Sequence, residues 1–168
     1  LDTSNNPYIA FYDTNNGQLK CVKRIGYGDW DFKDIEYVNA TGITDDERCA
    51  IAISTNNVIY IAYYDDEEQA LKYAKCTSWD KGFSIYTVTP GPAGKYCSIA
   101  LYGEIPYISF YDPNGTNGGD IKYAKWIPDS NTVTIFYTTG GEVKIQPPTG
   151  EMRIQISPFT FTADITLT

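Results

Sequence analysis

The chain repeats itself, and that repetition limits its fold more than any other property. The segment Tyr8-Ile9-Ala10-Phe11-Tyr12-Asp13 returns as Tyr60-Ile61-Ala62-Tyr63-Tyr64-Asp65 and again as Tyr107-Ile108-Ser109-Phe110-Tyr111-Asp112. A second segment follows each copy: Leu19-Lys20-Cys21-Val22-Lys23, Leu71-Lys72-Tyr73-Ala74-Lys75 and Ile121-Lys122-Tyr123-Ala124-Lys125. A third precedes two of them, Cys49-Ala50-Ile51-Ala52-Ile53 and Cys97-Ser98-Ile99-Ala100-Leu101. A fourth closes each unit. Trp30 leads into Ile35-Glu36-Tyr37-Val38, Trp79 leads into Ile85-Tyr86-Thr87-Val88, and Thr132 to Tyr137 stands in the third unit. A period of about 40–50 residues means one supersecondary unit that cannot bury its own faces and must stack on its neighbours.

Each segment is short, rich in β-branched and aromatic residues, and bounded by Gly, Asn, Asp or Pro, which describes strands and turns. Asn15-Asn16-Gly17 and the stretch from Pro113 to Asp120 have the composition of hairpin turns. The expected fold is all-β: about three four-stranded antiparallel blades, in units 1–47, 48–95 and 96–139, followed by a C-terminal arm over 140–168. Strand Tyr8–Asp13 is apolar on both parities, with Tyr8 and Tyr12 on one side and Ile9 and Phe11 on the other. That pattern suits a sheet covered on both faces. In the arm, Val143 and Ile145 alternate with polar residues before Pro147-Pro148-Thr149-Gly150; Met152, Ile154 and Ile156 then share one parity. A hairpin is expected there, with a further strand after Pro158.

The strings Ser98-Ile99-Ala100-Leu101, Tyr107-Ile108-Ser109-Phe110-Tyr111-Asp112 and Ile121-Lys122-Tyr123-Ala124 resemble the β-propeller repeats of exported bacterial and archaeal proteins. The resemblance covers about residues 1–139 and implies blades that close radially. It implies no single function, since propellers serve many. The related sialidase-type box, Ser-x-Asp-x-Gly-x-x-Trp, has no copy in this chain. Closed propellers typically take about 4–8 blades, so three units do not make a ring. Leu1 aligns with Ile53 and Leu101, the end of the first strand of a blade. Either the rest lies in a longer parent chain, or another segment fills the gap.

Composition excludes several function classes. The chain has no histidine, which removes Ser-His-Asp and Cys-His catalysis and any His-ligated metal. Its net charge is −8 and it carries no basic run, which argues against nucleic acid as a partner. No apolar stretch reaches the ~18 residues of a membrane-spanning helix. Cys21, Cys49, Cys76 and Cys97 lie too far apart in sequence for a zinc ribbon. Two readings remain for them: four buried thiols in a core, or two disulfides in an oxidising compartment, paired 49–97 and 21–76. The sequons beginning at Asn39 and Asn114 fit the second reading and an extracellular or cell-surface location.

The remaining candidate sites are acidic, aromatic and terminal. Asp13, Asp65 and Asp112 end equivalent strands and would accept hydrogen bonds from the following turns; as converging carboxylates they would serve a glycosidase. Asp112, Asn114 and Asp120 offer alternating oxygens to calcium, the one cofactor the sequence suggests. Asp65-Asp66-Glu67-Glu68 reads as a solvated turn. Trp79, flanked by Ser78 and Asp80, is the best placed of the three tryptophans to stack on a sugar. Phe159, Phe161, Ile165 and Leu167 alternate along the terminal strand and suit strand exchange, in cis or in trans. The expected protein is therefore non-catalytic. It acts by assembly or adhesion, through self-association or a complementing chain. A lectin-like glycan-binding module and a fragment of a propeller glycosidase or lyase are the alternatives.

Overall fold

The computed structural model of the chain describes residues 1–39, 49–115, 118–127, 132–137, 141–145 and 152–156. Among the described residues, the short β-branched and aromatic runs become strands. Strands β1 (Tyr8–Asp13), β2 (Gln18–Arg24) and β3 (Trp30–Tyr37) form a three-stranded antiparallel sheet in that order. A second sheet takes β4 (Ala50–Ile53), β5 (Ile59–Asp65), β6 (Ala70–Ser78) and β7 (Gly82–Pro90), again in sequence order. The third repeats this with β8 (Lys95–Tyr102), β9 (Ile105–Asp112), β10 (Asp120–Ile127) and β11 (Thr132–Tyr137). The arm folds as a hairpin of β12 (Gly141–Ile145) and β13 (Met152–Ile156), with Val143 opposite Ile154 and Ile145 opposite Met152. The fold is all-β, and none of the three large sheets closes into a barrel.

The sheets pack face to face, and the middle one is covered on both sides. Every residue of β5 is buried. Its odd positions Ile59, Ile61 and Tyr63 join Leu19, Cys21 and Val38 of the first unit, together with Ala74 and Cys76, in one core. Its even positions Tyr60 and Ala62 join Leu71 and Tyr73 against Cys97, Ile108, Phe110 and Ala124 of the third sheet. Two separate cores on the two faces of one strand are what its unbroken apolar run requires, since successive side chains alternate across a sheet.

Polar contacts tie the sheets where the ladders stop. The β4–β5 ladder ends at the Ala50–Ala62 pair. Beyond it the Tyr64 backbone turns to the first sheet: Tyr12 Oη donates to the Tyr64 carbonyl at 2.9 Å and accepts from its N–H at 3.2 Å. A buried backbone group needs such a partner. At the opposite end, Tyr60 Oη donates to the Glu104 carbonyl at 2.9 Å, and Asn57 exchanges two 2.8 Å bonds with Thr3.

The closing strands depart from the alignment read in the sequence. Ile35 was matched to Ile85, but the ladders put Phe32 opposite Val22 and Ile85 opposite Ala74, so Phe32 is the equivalent of Ile85. Both closing strands carry a bulge, after Leu19 in the first sheet and after Leu71 in the second. The tryptophans misled the alignment. Trp30 begins strand β3, whereas Trp79 sits in a 3₁₀ turn ahead of β7.

Candidate functional site

One ion pair recurs in every sheet. An aspartate ends each of β1, β5 and β9, and a lysine is the third residue of each partner strand. Lys20 stands opposite Phe11, Lys72 opposite Tyr63 and Lys122 opposite Phe110. Each lysine is therefore the diagonal, same-face neighbour of the aspartate two residues further on, within reach of a long side chain. Lys20 Nζ lies 2.8 Å from Asp13 and Lys72 Nζ 2.6 Å from Asp65, and Lys122 pairs with Asp112. The second oxygen of each aspartate caps the next turn: Asp13 accepts from the Asn15 and Asn16 N–H groups, Asp65 from Glu67 and Glu68, and Asp112 from Asn114. The turn-capping role expected for these aspartates is present. The lysine partner is the part that the sequence reading missed.

At the junction of the first two sheets the pair grows into a cluster. In β3, Asp34 pairs with Lys20 on one face. The bulge then inserts a residue and re-aims Glu36 to the other face, opposite Leu19. Glu36 Oε1 accepts from Lys72 Nζ at 2.8 Å, and Glu36 Oε2 accepts from Tyr63 Oη at 2.6 Å. Glu68 adds a third carboxylate to Lys72 at 3.0 Å. Asp65 is 1% exposed and the Lys72 side chain 3%, so most of this network is out of water. Burial alone would lower the Lys72 pKa; its bonds to Asp65, Glu36 and Glu68 outweigh that and raise it. Burial, then Glu36, push the Tyr63 phenol up.

Among the described residues, Glu36, Asp65 and Glu68 also form the one set of carboxylates close enough to hold a metal ion. Their cation is already the Lys72 ammonium. A protonated lysine held by three acids and walled off from solvent cannot exchange protons with a substrate, since a general base must come within hydrogen-bond reach of the proton it takes. The arrangement fixes one sheet to the next. The acidic turn read as fully solvated is thus half structural: Asp65 is buried, while Glu67 and Glu68 are exposed.

The other candidate residues separate. Asp112 has both oxygens engaged, by Lys122 and by the Asn114 N–H, and Asn114 is exposed. Asp120 stands directly opposite Asp112 in the ladder. Trp79 is no open sugar platform. Its Nε1 donates to Asp31 at 2.5 Å, Tyr8 meets it edge-on at 5.6 Å, and Lys33 covers its ring at 5.8 Å. The indole was expected at the surface because polar neighbours flank it, but it is drawn into the seam between the first two sheets. Asn39 is half-buried at φ 53°. Phe159, Phe161, Ile165 and Leu167 lie outside the described residues.

The cysteines depart from the disulfide expectation. All four are free thiols. Each takes the place of a small apolar side chain in the inter-sheet cores. Burial pushes Cys21 and Cys97 up to about 12 and Cys49 up to about 11. An unfolded thiol titrates near ~8.5, so folding favours the protonated form. These thiols stabilise the fold fully below that value, and the contribution disappears as pH rises through about 11–12. In reductant, the unfolding free energy from urea titration should fall steadily between about pH 8 and pH 10.5, by about 2 kcal/mol per buried thiol. A flat profile over that range would show that the thiols ionise freely in the folded state.

No protein-family model matches the chain, and no curated protein matches it in sequence.

Proposed function

We propose that the chain is a non-catalytic subunit of the extracellular space or cell surface that works by assembly or adhesion. One observation carries this reading: the same aspartate–lysine pair recurs in all three sheets. A catalytic group normally breaks the symmetry of a repeat. These charged groups follow the symmetry, and their partners are each other and the turn backbone. The tryptophan best suited to a glycan is packed against Tyr8, which weighs against the lectin-like alternative, and the buried acids weigh against the glycosidase.

Assembly through the arm draws on a second asymmetry. Strands β5 and β9 each have a neighbour on both sides, whereas β1 is an edge strand of its sheet among the described residues. An unpaired edge templates the addition of a further strand. The alternating segment Phe159 to Leu167 has the pattern to supply it, and four such side chains bury favourably at about 1.5–3 kcal/mol each. Radial closure into a propeller belongs to the same reading.

Electron microscopy and light scattering of the full chain test the assembly reading, with fibres or discrete oligomers as the expected result. A chain ending at Ser157 should lose them, and the 158–168 peptide added in trans should restore them. A monomer at every accessible concentration overturns the assembly role. Assembly that survives the truncation unchanged removes the arm from it.

A further inference from the structure

The two ends of the stack present two different faces of the same repeat. Each sheet meets the sheet before it with one face and the sheet after it with the other, and the repeat fixes what each face presents. The face turned to the preceding sheet carries Ile61, Tyr63 and Lys72 in the second sheet and Ile108, Phe110 and Lys122 in the third. In the first sheet the same positions are Ile9, Phe11 and Lys20, and no described part of the chain covers them. Ile9 is 48% exposed, while its equivalents Ile61 and Ile108 are 0% and 2%. Beside Ile9 in the ladder stand Val22 and then Phe32, which is also exposed.

The other end completes the match. The face turned to the following sheet carries Tyr8, Ala10, Tyr12 and Leu19 in the first sheet and Tyr60, Ala62, Tyr64 and Leu71 in the second. In the third sheet these become Tyr107, Ser109, Tyr111 and Ile121. Ile121 is 63% exposed, where Leu19 and Leu71 are 0%. Ser109 is exposed where Ala62 is fully buried. The same tyrosine–small–tyrosine row that closes two internal junctions thus faces outward at one end, and its aliphatic acceptor faces outward at the other.

We infer that the face of Tyr107, Ser109, Tyr111 and Ile121 docks on the face of Ile9, Phe11 and Phe32 in a second copy of this chain, with Val22 buried beneath it. The inference rests on the assembly reading above and names its contact surface. The contact is heterologous, so each copy offers one donor face and one acceptor face, and association continues to a ring or a filament. An isologous dimer would instead pair like with like, acceptor face on acceptor face or donor face on donor face, and stop at two copies. Large contiguous apolar patches are rare on a surface that meets only water.

The test uses two full-length variants. Ile9→Glu places a charge on the acceptor face, and Ser109→Trp blocks the donor face. Both positions are exposed, so circular dichroism should match wild type. In light scattering and native mass spectrometry, each variant alone should self-associate at least about thirtyfold more weakly than wild type, the effect of losing one interface hot spot. An equimolar mixture should form a 1:1 heterodimer and stop there. The Ser109→Trp chain keeps a good acceptor face and the Ile9→Glu chain a good donor face, so one productive contact remains. Wild-type assembly that survives both substitutions overturns the end-face contact and leaves assembly to the arm. A monomeric wild type overturns both. Loss in each variant without rescue in the mixture excludes a heterologous contact and overturns the inference.

Discussion

Replacing Lys72 with methionine is expected to lower the unfolding free energy by about 3–5 kcal/mol. The substitution keeps the length and apolar stem of the side chain and removes the charge. It leaves Asp65 and Glu36 facing each other where Asp65 is 1% exposed and Tyr63 holds the second Glu36 oxygen. Breaking a buried pair from one side costs more than the pair contributes, because the remaining charge loses its counter-ion where water cannot replace it. Lys20→Met is the control. Lys20 makes the equivalent contact with Asp13, whose carboxyl it holds down at about 2, but on the open face of the first sheet. Both side chains keep some contact with water, at 18% and 16% against 3% and 1% for Lys72 and Asp65, so the loss should be clearly smaller than for Lys72→Met. The double variant Lys72→Met/Asp65→Leu should recover much of the loss, since removing both members of a buried pair is often near neutral. Urea unfolding of the three proteins measures all of this. Equal small losses at Lys72 and Lys20 would show that the cluster is hydrated and does not fix the sheets.

The architecture was legible because its signal is local and repeated. Alternation and turn residues mark each strand. The two-sided apolar run read in Tyr8–Asp13 announces a sheet covered on both faces, which its copy β5 has and β1 itself lacks among the described residues, since Ile9 is 48% exposed. The lysines were visible in the motif but carried no meaning on their own, because a lysine in a strand normally points to water. Only the hairpin register turns Asp65 and Lys72 into diagonal neighbours, and that register follows from turn length more than from residue type. Glu36 was harder still. Parity puts it on the same side as Asp34, and the bulge that moves it across has no glycine or proline to mark it. Trp79 failed for a related reason. Its flanking Ser78 and Asp80 describe a turn, and a turn is usually exposed, but Asp31 and Lys33 from the neighbouring sheet give this one a roof. In each case the missing information is long-range, and a repeat specifies its local structure far more strongly than its junctions.

The junction between the second and third sheets depends on a residue with no side chain. Gly94→Ala is expected to destabilise the protein by about 3 kcal/mol, through two separate costs. Gly94 holds φ at +131°, a region that residues with a Cβ enter only under strain. Its N–H donates to the Tyr111 carbonyl at 2.8 Å, which ties it to β9 of the third sheet. Its Cα lies against β6 of the second: an added Cβ would meet the Leu71 Cβ at 2.5 Å and the Leu71 Cα at 3.0 Å. The Leu71 backbone is held in a ladder on both sides and cannot retreat. The sheets would have to separate, or the Tyr111 bond would have to break. Gly91 separates strain from crowding. Its φ is also positive, at +91°, but a Cβ there meets nothing within 4 Å. Gly91→Ala therefore carries the conformational cost alone, about 1 kcal/mol. The difference between the two midpoints isolates the steric term. Equal losses would mean that Leu71 and Gly94 are not in contact, and that the second and third sheets meet less closely than their shared core requires.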